Sequence, residues 1–345
     1  MTVEAGQPVL DVRGLKAVFR LGSAEVHAVN GVSFHVRPGE LLGVVGESGS
    51  GKSVTMLSLL GLLPSPPAEL RGGEVLLGGQ DLLKLSPRAL ADIRGARVGF
   101  VFQDPMTSLN PVLTVGDQIA EPLIRHKAMR RAAALSRAVE LLELVGIPDA
   151  RARLKAYPHQ FSGGMRQRVM IAIALACDPD LLIADEPTTA LDVTVQAQII
   201  ELIGELRQKL GMAIIWISHD LGVIAEIADR VMVMYGGQVV EEAPVAELFA
   251  NPRHPYTRAL LRTVPSLDGD RPAQLFTIEG QPPILTAAPT ACPFRHRCTE
   301  AHDQCDCANP VCCAVGAPGH AAAGTGHIVA CHRVAADHPR EVTHA

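Results

Sequence analysis

Short apolar runs alternate with stretches of helical spacing along the first 245 residues of the chain. Leu41–Val45, Val98–Phe102, Leu181–Asp185 and Ala213–Ser218 are apolar almost throughout, which predicts strands buried on both faces. Val231–Met234 and Gln238–Val240 flank Gly236-Gly237, and this predicts a hairpin. Helical spacing marks Val54–Leu63, Gly116–Lys127, Ala134–Val145 and Val169–Ala176. Strand and helix in alternation predict an α/β fold around a mostly parallel sheet. Two helical stretches in succession point to an inserted helical subdomain, about residues 104–170. Beyond about residue 250 the pattern gives way to Pro, His, Cys and Gly. A tail this irregular builds no large core and needs a staple.

Composition narrows the function. The 345 residues are enough for about two domains, with 48% hydrophobic and 19% charged side chains, as in a soluble globular protein. Lys and Arg number 31 against 36 Asp and Glu, a formal charge of −5, which argues against a broad cationic face for nucleic acid. The aromatic residues (8 Phe, 3 Tyr, 1 Trp) are too few for stacking platforms. The uncharged stretch Val311–His332 holds Gly, Pro and His in place of the Leu, Ile and Phe density of a spanning helix. The amino terminus shows no basic-then-apolar leader, so a cytoplasmic protein is expected, reaching a membrane only through a partner. Of 8 cysteines, Cys177 lies in an apolar helical run and the others fall between Cys292 and Cys331. Without an export signal, metal binding is the better reading of that cluster than disulfides.

Candidate chemistry begins where the first buried run ends. Leu41–Val45 leads into Gly46-Glu47-Ser48-Gly49-Ser50-Gly51-Lys52-Ser53 and then into the helix Val54–Leu63. This matches G-x-x-x-x-G-K-[ST] in the strand, loop and helix setting that it requires. Glycines let backbone N–H groups turn inward around phosphate oxygens. Lys52 offers a point charge to the β and γ phosphates and Ser53 a hydroxyl to Mg²⁺. The helix start adds its positive dipole end. A ligand with β and γ phosphates, together with Mg²⁺, is expected at this loop.

A second buried run, Leu181–Ala184, ends in Asp185 and Glu186. Alone, two acids after a strand read as a solvated strand end. Downstream of a phosphate loop, Asp185 suits Mg²⁺, directly or through water, and Glu186 suits orienting and polarising the attacking water.

Phe161-Ser162-Gly163-Gly164-Met165-Arg166-Gln167-Arg168 lies upstream of Asp185. With Gln103, Asp192 and His219 in that order, the set resembles the ABC-type ATPase family over residues 8–250. The resemblance implies a P-loop NTPase domain with a RecA-like core, an antiparallel β subdomain and an inserted helical subdomain. It implies that Phe19 stacks on adenine and that Gln103 touches Mg²⁺ or water while linking the sheet to the helical subdomain. Asp192, in Thr188-Thr189-Ala190-Leu191-Asp192, resembles the residue that crosses a dimer interface, and His219 the histidine that contacts the γ-phosphate. Ser162-Gly163-Gly164 opens the apolar run Val169–Ala176, so it is a helix start with free backbone donors and a serine hydroxyl. In the family that helix start faces the γ-phosphate held by the opposite subunit, and two ATPs are sandwiched in a head-to-tail dimer. Met165 stands where a glutamine is most often found; the serine and glycines supply the contact, so function is expected to survive.

Asn251-Pro252-Arg253-His254-Pro255-Tyr256 and the helical Thr257–Leu261 resemble the His-Pro-Tyr segment of the oligopeptide/dipeptide import branch, which also includes nickel importers. Residues 251–345 then form a Cys-rich extension of that branch. Cys292, Cys298, Cys305 and Cys331 are similar to the pattern that holds a [4Fe–4S] cluster in many members. Four soft thiolates suit Fe–S or Zn²⁺, spacing alone does not decide between them, and plain reduced thiols are a third reading. Pro310 after Cys305 follows the family pattern and favours Cys305 over Cys307, while Cys307, Cys312 and Cys313 are extra.

The resemblance thus implies the ATP-hydrolysing subunit of a peptide-type importer, peripheral on the cytoplasmic face of the inner membrane. Its partners would be a second ATPase subunit, two transmembrane permease subunits and an extracytoplasmic solute-binding protein, with no nucleic acid. Glu186 and Ser162-Gly163-Gly164 in one chain imply competent halves for both nucleotide sites. Three alternatives stand beside it: a soluble non-transport ABC ATPase, an importer subunit for nickel or another non-peptide solute, and a non-catalytic iron–sulfur module. The first usually brings a long coiled coil or two ATPase domains in one chain, which do not appear here. The third leaves Glu186 and His219 unexplained.

Overall fold

A computed structural model describes residues 7–189, 191–263, 276–310, 313–314 and 326–337. The chain divides into two compact units, one built from residues 1–11, 35–41 and 76–218, the other from 12–34, 42–75 and 219–345. Its strands in chain order are β1 (Leu10–Leu21), β2 (Ala24–Val36), β3 (Leu41–Val45), β4 (Ala68–Leu77), β5 (Gln80–Asp81) and β6 (Val98–Val101). They continue with β7 (Leu181–Asp185), β8 (Ala213–Ile217), β9 (Arg230–Tyr235), β10 (Gln238–Pro244), β11 (Cys313–Ala314) and β12 (Ile328–Val329).

In the first unit β6, β7 and β8 pair in parallel, with Val98 opposite Leu181 and Leu181 opposite Ala213. Every residue of β7 and β8 is buried, which is why both read as unbroken apolar runs. Two predicted strands end one residue early, at Val101 and Ile217. The helices Val115–Lys127, Arg131–Leu144 and Gly163–Leu175 pack on one another. Thr114 starts the first: its hydroxyl accepts from the Asp117 N–H at 3.2 Å and donates to the Asp117 carboxylate at 2.7 Å. Ile119, Leu123, Ala138, Leu141, Leu142 and Ile171 are buried in this unit. Truncating a buried leucine such as Leu141 to alanine costs about 2–5 kcal/mol. The helix Val193–Leu210 buries Ile199, Ile200, Ile203 and Leu206, spaced for one face.

In the second unit β3 runs parallel to β9, with Leu42 opposite Arg230. β9 and β10 form the expected hairpin about Gly236-Gly237, and β12 adds to β10 with Glu241 opposite Val329. A second sheet has the order β2, β1, β4. The helix Lys52–Leu59 follows the loop after β3 and is shorter than the predicted Val54–Leu63 at its far end. The tail is better packed than its composition suggests. Tyr235, Tyr256 and Phe294 form an aromatic cluster with ring centroids 4.7–5.3 Å apart. Among the described residues no helix is long and apolar enough to cross a membrane.

Candidate functional site

Residues 46–51 bridge β3 and the helix Lys52–Leu59. A Cβ on Gly46 would stand 2.3 Å from the Met234 carbonyl oxygen, and one on Gly51 2.6 Å from that of Ala28. Both positions have positive φ, +149° and +98°, so glycine is required twice over. Lys52 is buried and curls back over its own loop, donating to the carbonyls of Gly46 at 2.7 Å and Glu47 at 3.0 Å, and to Ser50 Oγ at 3.4 Å. These are neutral acceptors, for which phosphate oxygens are stronger replacements. Ser50 is buried and its carbonyl accepts from Gly237 N–H at 2.9 Å, while Asn30 Nδ2 donates to Gly236 O at 3.0 Å. The β9–β10 turn therefore braces the loop. Ser48 and Gly49 are exposed, and Ser53 is half-buried on the first helical turn.

Glu47 is gripped from the tail of the same unit. Its carboxylate oxygens accept from Arg297 Nη1 at 2.6 Å and Nη2 at 2.9 Å, and its N–H donates to Tyr256 Oη at 2.8 Å. Elsewhere in this unit Phe19 is half-buried on β1, and His219 is exposed just before Asp220, which caps the helix Leu221–Ile227.

The other unit holds the carboxylates. Asp185 closes β7 and is buried; Glu186 follows it with φ +46°, a left-handed conformation costing about 1–3 kcal/mol for a residue with a side chain. Its N–H donates to Ile217 O at 3.1 Å. Gln103 Nε2 and Thr189 Oγ1 donate to the same Glu186 oxygen at 2.9 Å and 3.0 Å. Ser162 caps the helix Gly163–Leu175, its hydroxyl accepting from Met165 N–H at 3.3 Å, with Ser162 and Gly163 exposed and Gly164 half-buried. Asp192 caps Val193–Leu210 through Val195 N–H at 3.0 Å. Ala190, within the Asp192 segment, lies outside the described residues.

Asn30 and Arg297 stand in no sequence motif, and the motifs that contain Thr189 and Tyr256 give neither side chain a contact at the site. Thr189 carries a weak signal, a hydroxyl three residues after the acid. Nothing local joins Arg297 to a glutamate 250 residues away.

Cys292, Cys298, Cys305 and Cys331 line one small cavity of about 20 Å³, together with His254, Phe294 and His302. Cys307 is exposed and is not part of its lining. Burial first, then the neighbouring thiols, push Cys292 up to about 11, and burial likewise raises Cys298. A soft cation would compensate the thiolates of Cys292 and Cys298, which burial alone disfavours, so the donor chemistry of the four cysteines fits a soft metal centre. Among the described residues, however, no group of three or more His, Cys, Asp or Glu is arranged to hold a metal ion. Cys312 lies outside the described residues, as does the side chain of Cys313.

The family described as ABC transporter matches residues 29–189, and the oligopeptide/dipeptide transporter C-terminal region matches residues 240–305. The chain is similar to a probable peptide ABC transporter ATP-binding protein of Sinorhizobium fredii, at 54% identity over 91% of this chain and 94% of that protein. It is 52% identical to a dipeptide transport ATP-binding protein of Bacillus subtilis, over 87% of this chain and 89% of that protein. Among solved structures it is similar to the dimeric ATP-binding cassette MJ0796 in a post-hydrolysis state bound to ADP and Pi. That likeness has a TM-score of 0.62 at 29% identity, over 68% of this chain and 98% of the other. Phosphate loop, paired acids and serine-capped helix thus occur in a chain that matches these relatives along most of its length, and the chain belongs to the ABC transporter family as an ATP-binding protein.

Proposed function

We propose that this chain is the ATP-hydrolysing subunit of a peptide importer, with an ATPase domain over residues 8–250 and an extension over 251–345. The observation that carries the hydrolytic assignment is the tethered Glu186, directly after Asp185 and held by Gln103 and Thr189. The loop amides and Lys52 bind the triphosphate, Phe19 stacks on the adenine, and Ser53, Asp185 and Gln103 hold Mg²⁺, directly or through water. Bound Mg²⁺ neutralises charge that develops on the transferred phosphoryl group. Glu186 orients water against the γ-phosphorus and takes its proton on a carboxylate oxygen as the bond to the bridging β–γ oxygen breaks. His219 contacts the γ-phosphate, and Ser162-Gly163-Gly164 of a second ATPase subunit closes over it, with Asp192 at the shared face. ADP and phosphate leave when that dimer opens.

The relatives named for peptide and dipeptide transport support peptide as cargo. The partners are then a second ATPase subunit, two membrane permeases and an extracytoplasmic binding protein, with the chain on the cytoplasmic face. The test is reconstitution in vesicles: ATP-dependent accumulation of a labelled dipeptide or oligopeptide supports the reading, and accumulation of a nickel chelate alone refutes the cargo assignment.

Cys292, Cys298, Cys305 and Cys331 would hold a [4Fe–4S] cluster, or Zn²⁺ as the alternative. Their shared cavity supports this ligand set over one that includes Cys307. Such a centre cross-links three separated stretches of a small extension and so staples it.

A further inference from the structure

Arg297 has no spare donor. Its Nη1 and Nη2 fork onto both oxygens of Glu47 at 2.6 and 2.9 Å, with the arginine side chain 5% exposed. Nε donates to Glu279 O at 2.8 Å, Nη1 also to Tyr235 Oη at 3.3 Å, and Nη2 also to Ile278 O at 3.1 Å. A planar group with every N–H committed has one orientation, so the carboxylate that it grips has one as well. The backbone of Glu47 is fixed independently by Tyr256, whose ring is fully buried against Tyr235 and Phe294.

This grip solves a problem posed by the sequence of the loop. Glu47 is an acid inside a segment built to surround a triphosphate, and a free carboxylate there would repel the ligand. Pairing with a buried guanidinium cancels the charge and fixes the side chain in a single place.

We propose that Arg297 and Tyr256, both from the C-terminal extension, are positioning residues for ATP: they hold and neutralise Glu47 so that the phosphate loop keeps its binding shape. The extension thereby sets the affinity of the ATPase domain for nucleotide. This rests on the nucleotide reading of the loop.

The test titrates Mg-ATP onto the full chain and separates KM from kcat in the assembled importer, for wild type, Y256F, R297Q and R297Q/E47Q. Y256F keeps its ring in the aromatic cluster and loses only the hydroxyl, so it folds; its Kd and KM rise about fivefold with kcat unchanged. R297Q leaves a bare negative charge in the loop and raises both about tenfold, worth about 1.4 kcal/mol. Adding E47Q removes that charge and recovers most of the loss. A purely structural tail would lower kcat with the fraction of folded protein and leave KM alone. Wild-type KM in Y256F and R297Q overturns the assignment, and so does a double variant no better than R297Q. If R297Q fails to fold, Y256F decides alone: a raised KM supports the assignment and an unchanged one overturns it. A wild-type chain that binds no Mg-ATP would instead overturn the nucleotide reading itself.

Discussion

The side-chain amide of Gln103 donates to Glu186 Oε2 across 2.9 Å, linking residues 83 apart in sequence. Gln103 follows β6 and Glu186 follows β7, so two adjacent parallel strands deliver them to the same end of the sheet. Thr189 donates to the same oxygen at 3.0 Å. Two donors on one oxygen hold the carboxylate in a fixed orientation, as a base that must meet one particular water requires. Gln103 also leads into the helical segment, so any motion of that segment acts on the Glu186 carboxylate.

Lys52→Ala removes the one ammonium buried in the loop. Charge-assisted bonds are each worth about 1.5–3 kcal/mol. Equilibrium titration is expected to show a Kd for Mg-ATP raised at least about tenfold. Wild-type affinity would detach the loop from nucleotide binding.

Ser162 caps its own helix, and the proposed function also gives its hydroxyl to a nucleotide on a second subunit. Ser162→Ala loses both roles; Ser162→Asn keeps a good cap. Both variants are expected to lose turnover at least about tenfold while Mg-ATP binding to the variant chain is unchanged. Full turnover in Ser162→Asn would reduce this serine to a cap.

His254 makes acid stability a second readout of the extension. Burial lowers its imidazole to about 4, and Nδ1 accepts from Tyr256 N–H at 3.0 Å, which only the neutral ring can do. In the unfolded chain the ring titrates near 6.5, so between those values the unfolded state holds the extra proton and stability rises with pH. The contribution is complete above about pH 6.5 and is lost as pH falls toward 4, at most about 3 kcal/mol. Melting temperature should fall less steeply on acidification in His254→Asn, which retains a capping side chain without the titration. Parallel pH curves for the two proteins would contradict this origin.

Metal analysis of anaerobically purified protein separates the cysteines. Iron with sulfide, or zinc, is expected at one centre per chain, lost in Cys298→Ser and kept in Cys307→Ser, because Cys307 stands off the cavity. Retention in the first and loss in the second would contradict the ligand set.

Burial decides how much of this was legible in the sequence. β3, β7 and β8 are buried at every residue, and their apolar runs mark them with the correct or nearly correct ends. β1 and β2 are not among the predicted strands: β1 breaks its alternation at Gly14 and at Ala17-Val18, whereas residues 32–36 at the end of β2 alternate buried with less buried positions, a period-2 signal that could have marked it. The phosphate loop and the serine-capped helix are local signals, carried by consecutive residues whose backbone roles are written in their types. The Arg297–Glu47 grip and the aromatic cluster joining Tyr235, Tyr256 and Phe294 are long-range, and no local spacing encodes them. Cys305 lines the cavity while Cys307, two residues on, does not, a difference set by the short helix Asp303–Cys307 turning one thiol inward.

The most direct measurement is phosphate release by the assembled importer carrying Glu186→Gln, alongside Mg-ATP binding by the same variant. Removing a general base typically costs about 10²–10⁴-fold in rate. Turnover reduced by at least about a hundredfold, with Mg-ATP binding intact, is the result expected of a tethered catalytic base. Wild-type turnover in Glu186→Gln would contradict it and assign the hydrolysis to another residue.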